Sequence, residues 1–171
     1  LRAMDRPIGR SLVEADRIDL AKQLLQKAAE KDVTLLLPQD HVVAADFSAD
    51  AEHKTCSDAN FPADWMALDI GPATIATYTG ALKNARMVVW NGPMGVFEME
   101  AFAAGTKAVA LAVADATSKG ARSVIGGGDS ASAIVNMGLE DQVSHISTGG
   151  GASLEFLEGK QFKCLAILDE K

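Results

Sequence analysis

Residues 123–137 read SVIGGGDSASAIVNM: a short apolar run, three glycines and an aspartate, then apolar positions at helical spacing. This pattern predicts a strand at 123–125, a tight turn, and a helix over 130–137. The same order recurs three more times, with 66–70 before 73–83, 87–90 before 100–119, and 143–147 before 152–157. Strands that alternate with helices need crossover connections, so we expect a doubly wound, Rossmann-like α/β fold, with helices on both faces of a mostly parallel sheet.

The first 64 residues are less regular. Ser11 and Glu14 fit a capping box, and the apolar residues that follow at helical spacing predict a helix up to about Lys31. Short β-rich runs at 34–37 and 41–45 predict two strands. Residues 46–64 have no clear period, which predicts a long, solvent-facing connection.

Composition narrows the class of protein. The 171 residues, of which 48% are hydrophobic and 23% charged, fit one globular domain. No apolar run is long enough to span a membrane, and the net charge of −7 disfavours nucleic acid as a partner. Cys56 and Cys164 are isolated from each other and from any zinc-ligand pattern, so we expect two reduced thiols in a cytoplasmic protein.

Three of the predicted strands end in glycine clusters, at 91–95, 126–129 and 148–151. In an open parallel sheet such loops emerge at the same carboxyl edge, where ligands bind. Glycine lets the backbone approach a ligand closely, and the amides and dipole of a helix amino terminus attract anions. One cluster could merely permit a tight turn, but three on one edge favour a polyphosphate site.

Asp129 adds a metal to this interpretation. A carboxylate beside bound phosphates would repel them unless a hard cation lay between, and Mg²⁺ commonly binds one or two carboxylates together with phosphate oxygens. We therefore expect a Mg²⁺-nucleotide with Asp129 as the metal ligand. Asp129 could also be the N-cap of a helix that starts at Ser130, and both roles are compatible.

A dinucleotide site fits the same residues less well. Gly126, Gly128 and Ala131 match G-x-G-x-x-[GA], but the acidic residue expected about 20 positions later is replaced by Ser147 and Thr148. The sequence also contains no G-x-x-x-x-G-K-[ST] string, which excludes a Walker-type nucleotide site.

A serine hydrolase is a weaker alternative. Ser132 stands where the second glycine of a nucleophile elbow belongs, and His145 is the one candidate base in a suitable place. We interpret His145 as a buried, hydrogen-bonded structural histidine instead. His41 and His53 have no partner in the sequence and receive no role.

Four segments in order resemble the phosphoglycerate kinase family: WMALDIGP at 65–72, WNGPMGVFE at 90–98, IGGGDS at 125–130 and SHISTGGGAS at 144–153. The resemblance covers nearly the whole chain. It implies reversible phosphoryl transfer between 1,3-bisphosphoglycerate and ADP, giving 3-phosphoglycerate and ATP in glycolysis, with Mg²⁺ on the nucleotide. It also implies a parent that is monomeric.

The resemblance implies roles for residues around the nucleoside. Leu68, Pro93 and Val96 would line the adenine pocket. Glu98 would bond the ribose hydroxyls, and Asn91 would approach the phosphate chain.

Residues expected along the phosphates belong to the last two glycine clusters: Gly127, Gly128, Asp129, Ser130, Gly149, Gly150 and Gly151. By this resemblance, Gly127, Gly128, Asp129 and Ser130 would hold the phosphates and the metal. The last three would be catalytic, because their amides would point at the phosphoryl group in transfer.

The resemblance also sets an expectation about catalysis. The family's amino-terminal domain, whose basic patch binds the acid substrate, has no counterpart in these residues. We therefore expect 1–171 to be an incomplete nucleotide-binding domain with little or no kinase activity alone, and 160–171 to be a tail that docks on the amino-terminal domain. A stand-alone nucleotide-binding module without catalysis is the alternative.

Overall fold

The computed structural model describes residues 1–147 and 149–162. Its α-helices are α1 (Ile18–Glu30), α2 (Pro72–Leu82), α3 (Ala104–Ser118), α4 (Gly128–Asn136) and α5 (Gly150–Leu157). Its strands are β1 (Asp40–Ala44), β2 (His53–Ser57), β3 (Met66–Ile70), β4 (Met87–Asn91), β5 (Arg122–Gly126) and β6 (His145–Ile146). Among these helices, none is both long enough and apolar enough to cross a membrane.

A parallel sheet in the order β4-β5-β6 forms the centre of the fold. One of its faces packs against α3 and α4 through a core that includes Trp90, Val113, Ile125 and Ile134. Helix α5 lies on the other face, where Phe156 and strand residues line a common cavity. The predicted α/β architecture, with helices on both faces of a parallel sheet, is confirmed.

A second sheet departs from the prediction. Its order is β2-β1-β3 and both pairings are antiparallel, so residues 66–70 do not join the parallel sheet. Strand β2 lies inside the segment 46–64, which we expected to be a connection. Only Cys56 of β2 is buried, and this polar edge strand therefore lacks the apolar alternation that would have predicted it.

The predicted strand at 34–37 does not form. Both edges of β1 are already paired, one with β2 and the other with β3, so the run that precedes Pro38 has no place beside it. Leu35 and Leu36 are exposed. Local β-propensity alone therefore does not make this run a strand.

Helix α1 starts later than the capping box predicted. The Ser11 hydroxyl oxygen accepts a hydrogen bond of 3.0 Å from the backbone N–H of Ala67, so Ser11 ties its segment to β3 instead of capping a helix. A short 3₁₀ turn over Ala15–Arg17 precedes α1. The end of α1 at Glu30 agrees with the predicted end near Lys31.

Asp40 of β1 caps α2 from outside the helix. Its carboxylate accepts hydrogen bonds from the backbone N–H groups of Ala73 (2.9 Å) and Thr74 (2.8 Å) and from the Thr74 hydroxyl (2.6 Å). Burial alone would raise the pKa of Asp40, but these hydrogen bonds outweigh it and lower the pKa below its usual value. The antiparallel sheet is thereby fixed to the start of α2.

Candidate functional site

The three glycine clusters follow the carboxyl ends of β4, β5 and β6. Because these strands are parallel and adjacent, their following loops lie along one edge of the sheet. The backbone N–H of Ser147 donates a 2.7 Å hydrogen bond to the carbonyl of Ile125, which holds the end of β6 against β5. The predicted convergence of the three loops is confirmed.

Asn91 and Gly127 lie close to each other where the first two loops meet. Gly127 has φ of +84°, and a Cβ added there would lie 2.9 Å from Asn91 Oδ1. Both observations require glycine at this position, since L-residues rarely adopt this backbone conformation. The Asn91 side chain therefore lies directly beside the turn that leads into α4.

Ser130, in the first turn of α4, forms a hydrogen bond that connects the same two loops. Its side chain is fully buried, and its hydroxyl oxygen accepts a 2.6 Å hydrogen bond from the backbone N–H of Gly92. Gly92 itself has φ of +105°. The structure thus uses Ser130 to fix the relative position of the loops, a role that the sequence did not indicate.

Asp129 is exposed in the first turn of α4. The helix begins at Gly128 and its N-cap is Gly127, so the interpretation of Asp129 as the N-cap of a helix starting at Ser130 is wrong. The glycines allow the helix to start earlier than the apolar periodicity indicated. A carboxylate at this position lies near the positive end of the helix dipole.

A mainly apolar cavity of about 390 Å³, whose lining also includes His41 and Asp69, lies along β3 and beside the loop after β4. Leu68, Pro93 and Val96 line it, together with Ala67. The backbone N–H of Val96 donates a 2.9 Å hydrogen bond to the carbonyl of Leu68, which joins the two segments that form the wall. The three residues expected around an adenine are therefore brought together. Glu98 is exposed in the loop that follows them.

Asp69 and Thr106 hold the loop after β4 in place, and sequence reasoning missed both. Thr106 is fully buried, and its hydroxyl oxygen accepts hydrogen bonds from the backbone N–H groups of Met94 (3.0 Å) and Gly95 (3.2 Å). Asp69 accepts a 2.7 Å hydrogen bond from the N–H of Gly105 in the first turn of α3. Burial raises the pKa of Asp69, and its two backbone hydrogen bonds oppose that rise. Their partners lie 12 and 36 positions away in sequence, so no local pattern marks them.

The last glycine cluster leads into α5. Gly149 is exposed and precedes the helix, and its N–H donates a 3.2 Å hydrogen bond to the Ser147 hydroxyl. The Ser147 and Ser153 hydroxyl oxygens are 2.7 Å apart. Gly150 and Gly151 form the first turn of α5, so their amides belong to a helix amino terminus. Thr148 and residues 163–171, with Cys164 and most of the predicted tail 160–171, lie outside the described residues.

The environment of His145 differs from its prediction. His145 is exposed at the rim of the sheet, because β6 is a two-residue edge strand, so the prediction of a buried structural histidine is wrong. His41, to which we gave no role, is the buried one, with 3% of its surface exposed. Its Nε2 lies 2.8 Å from Asp58 Oδ1, and Arg6 bonds the other oxygen of Asp58 at 2.9 Å.

The donor set around Asp129 is compatible with Mg²⁺ but with no all-protein metal cage. Within the described residues, no group of three or more His, Cys, Asp or Glu side chains could hold a metal. Mg²⁺ usually binds through one or two carboxylates and keeps water and phosphate oxygens as its other ligands. A single exposed carboxylate beside a glycine loop fits that habit.

The parallel sheet, with glycine loops and helix amino termini along one edge, defines an α/β protein whose fold offers a ligand site at the carboxyl ends of its strands. Comparison with known proteins identifies the family within this class of α/β proteins. The family model for phosphoglycerate kinase matches residues 1–160. The chain therefore belongs to the phosphoglycerate kinase family.

Individual relatives agree with this assignment. The chain is 57% identical over 169 residues to phosphoglycerate kinase of Prosthecochloris aestuarii and 56% identical over 171 residues to that of Moorella thermoacetica. These alignments cover 99% and 100% of this chain and 43% of each relative. The chain thus spans less than half the length of the curated relatives it matches.

Solved structures show the same fold. Phosphoglycerate kinase from Coxiella burnetii superposes with a TM-score of 0.89 at 48% identity, covering 94% of this chain and 41% of that one. The enzyme from Pyrococcus horikoshii superposes with a TM-score of 0.78 at 34% identity, covering 96% and 41%.

Proposed function

We propose that this chain forms the Mg²⁺-ADP/ATP site of a phosphoglycerate kinase. The parent reaction would be reversible phosphoryl transfer between 1,3-bisphosphoglycerate and ADP in glycolysis, in the cytoplasm. The observation that carries the proposal is the approach of Asn91 to Gly127, with the Gly92–Ser130 hydrogen bond beside it. Together they align two glycine loops next to an apolar cavity.

The apolar cavity would hold the adenine ring. Leu68, Pro93 and Val96 present aliphatic surface, and burying an aromatic base against such side chains is favourable because it removes apolar area from water. Exposed Glu98 would accept hydrogen bonds from the ribose hydroxyls. This arrangement would fix the direction in which the phosphate chain leaves the cavity.

The phosphates would lie along Gly127 and Gly128 toward the amino terminus of α4. Backbone N–H groups there need acceptors, and the helix dipole favours an anion. The Asn91 amide would donate to a phosphate oxygen from the neighbouring loop. Buried Ser130 would act by positioning the loops through Gly92.

Asp129 would bind Mg²⁺ on the phosphates. When bound, Mg²⁺ neutralises negative charge on the phosphate oxygens. The amides of Gly149, Gly150 and Gly151 would point at the phosphoryl group from the amino terminus of α5. No side-chain nucleophile is needed, because phosphoryl transfer depends mainly on positioning and charge neutralisation.

We infer that the chain alone turns over slowly. The residues assigned to the site include no Lys or Arg, so charge on the transferring group is met only by Mg²⁺ and backbone amides. The basic surface that would hold the acid substrate is not among the assigned residues. A coupled assay of the purified chain with 1,3-bisphosphoglycerate and Mg²⁺-ADP should give little or no ATP, and rapid turnover would contradict the inference.

The metal role of Asp129 can be tested by comparing how Asp129→Asn changes ADP affinity with and without Mg²⁺. Calorimetric titration of ADP with Mg²⁺ should show saturable binding, and Asp129→Asn should weaken it about tenfold, as expected for loss of one charged metal ligand. Without Mg²⁺, in a chelator, the same substitution should leave ADP binding unchanged or strengthen it, because it removes a carboxylate that repels the phosphates.

Asp141→Asn provides the matched control. Asp141 is an exposed carboxylate that precedes β6, at the opposite end of the strands from the glycine loops. Its loss should leave both titrations unchanged. Equal weakening by Asp129→Asn with and without Mg²⁺ would exclude the metal role, and absence of ADP binding by the unmodified chain would contradict the nucleotide site.

A further inference from the structure

Four cationic side chains line a depression at the edge of the sheet opposite the glycine loops. Lys83, Arg86, Lys119 and Arg122 surround a volume of about 590 Å³, which we call the basic depression. Arg86 precedes β4 and Arg122 is the first residue of β5. Five-residue strands place this edge about 13 Å from the carboxyl edge. This concentration of positive charge occurs in a chain whose net charge is −7.

The dipoles of α2 and α3 explain the positions of only two of the four cationic residues. Lys83 is the C-cap of α2 and Lys119 is the C-cap of α3, where cations compensate the negative end of the dipole. Lys119 also pairs with Asp115, with 2.6 Å between nitrogen and oxygen. Both lysines are therefore explained by the helices that they end.

The two arginines have no such explanation. The backbone N–H of Arg122 donates a 2.9 Å hydrogen bond to the carbonyl of Arg86, which keeps the two residues side by side. Within residues 1–147 and 149–162, neither guanidinium pairs with a carboxylate. Both side chains are exposed, and an anion bound between two adjacent positive charges would be attracted to both.

Phosphate is the anion that this arrangement suits best. Guanidinium groups bind phosphate oxygens through paired hydrogen bonds, and lysines add point charges around them. The depression has the size of a small-molecule site, and its glycine, Gly120, has φ of +99° with open space around it. We propose that the basic depression binds a small phosphate-bearing anion, such as a diphosphate, at a site separate from the glycine loops.

Site-resolved NMR titration with pyrophosphate tests this proposal. With ionic strength held constant by KCl and without Mg²⁺, the backbone amides of Gly120, Ala121 and Arg122 should shift saturably, with a Kd on the order of 1 mM. Arg86→Gln and Arg122→Gln should each weaken this binding about tenfold, because each loses a charge-assisted contact. Lys22→Gln removes an exposed cation from α1 and should leave it unchanged.

The same spectra distinguish a nucleotide from a simple diphosphate as the bound anion. If the nucleoside adds contacts, ADP should shift the same amides at lower concentration than pyrophosphate; equal affinities would assign the site to the phosphates alone. Shifts at Gly127 and Gly128 report the glycine loops independently. The proposal fails if residues 120–122 do not respond, or if the two arginine variants bind as tightly as the Lys22→Gln control.

Discussion

Gly127 lies where the first two glycine loops approach each other. Replacement by alanine should reduce the free energy of unfolding by about 1–3 kcal/mol, because an L-residue is strained at its φ of +84°. The new methyl group would also lie 2.9 Å from Asn91 Oδ1 and push that side chain aside. We therefore predict that Gly127→Ala weakens Mg²⁺-ADP binding as well, measured by calorimetry beside urea unfolding.

Gly138→Ala separates these two effects. Gly138 also has positive φ, at +64°, but an added Cβ there meets nothing within 4 Å. The control should lose stability and keep its nucleotide affinity. Equal loss of affinity in both variants would show that general destabilisation, and not the contact with Asn91, controls the site.

Asp40 provides a prediction about pH. The folded-state pKa of Asp40 lies below 3.8, so its stabilising contribution is present above that pH and is lost as pH falls through the lower folded value. Asp40→Asn should lower the free energy of unfolding by about 1 kcal/mol at neutral pH, because both carboxylate oxygens accept hydrogen bonds and the amide nitrogen of asparagine cannot. The difference between the two proteins should shrink as the pH falls below 3.8.

Urea unfolding at several pH values measures this difference. Asp50→Asn removes an exposed carboxylate at the tip between β1 and β2 and should change stability little at any pH. If the gap between wild type and Asp40→Asn stayed constant down to acid pH, the ionised carboxylate would not be the group that caps α2.

At the scale of elements, the repeated strand–turn–helix units could be predicted because each combines an apolar run, glycines and helical periodicity. Their order fixed the parallel sheet and the shared edge. The direction and partners of Met66–Ile70 could not be predicted, because antiparallel pairing with β1 depends on contacts between distant segments. Strand β2 was missed for a related reason: its side chains are mostly polar and its existence depends on β1.

In the candidate site too, some residues could be predicted from local sequence and others could not. Residues in the glycine loops and in the wall of the apolar cavity could be assigned because they lie in recognisable strings. Asp69 and Thr106 could not, since each acts through a single tertiary hydrogen-bond arrangement that local sequence does not encode. Sequence reasoning therefore proposed groups that would face a ligand, and the structure added groups that hold their loops in place.

Thr106 links α3 to the loop after β4, and its loss should loosen that loop. Thr106→Val keeps the shape of the side chain but leaves the N–H groups of Met94 and Gly95 without their acceptor. We expect a loss of about 1–3 kcal/mol in the free energy of unfolding, the cost of unsatisfied buried polar groups. Mg²⁺-ADP affinity should fall too, because the same loop carries Pro93 and Val96.

Thr79→Val is the matched control for that substitution. The Thr79 hydroxyl donates to the carbonyl of Ile75 within α2, so valine leaves no backbone N–H unpaired there. It should change stability and affinity little. If both valine variants behaved alike, the Thr106 hydroxyl would not support the loop.

On the scale of the whole molecule, the parallel sheet separates two edges of different character. The glycine loops and the acidic side chain of Asp129 lie at the carboxyl edge, and the basic depression lies at the amino edge. We propose a Mg²⁺-nucleotide at the first edge and a small phosphate-bearing anion at the second. The two sites can therefore be distinguished by position as well as by metal dependence.

The most direct test of the central claim is an amide NMR map of the purified chain with saturating Mg²⁺-ADP. We predict large shifts in residues 91–96 and 126–130 and around Leu68. Shifts that avoid the glycine loops, or no saturable response at all, would contradict a nucleotide site at the carboxyl edge of the sheet.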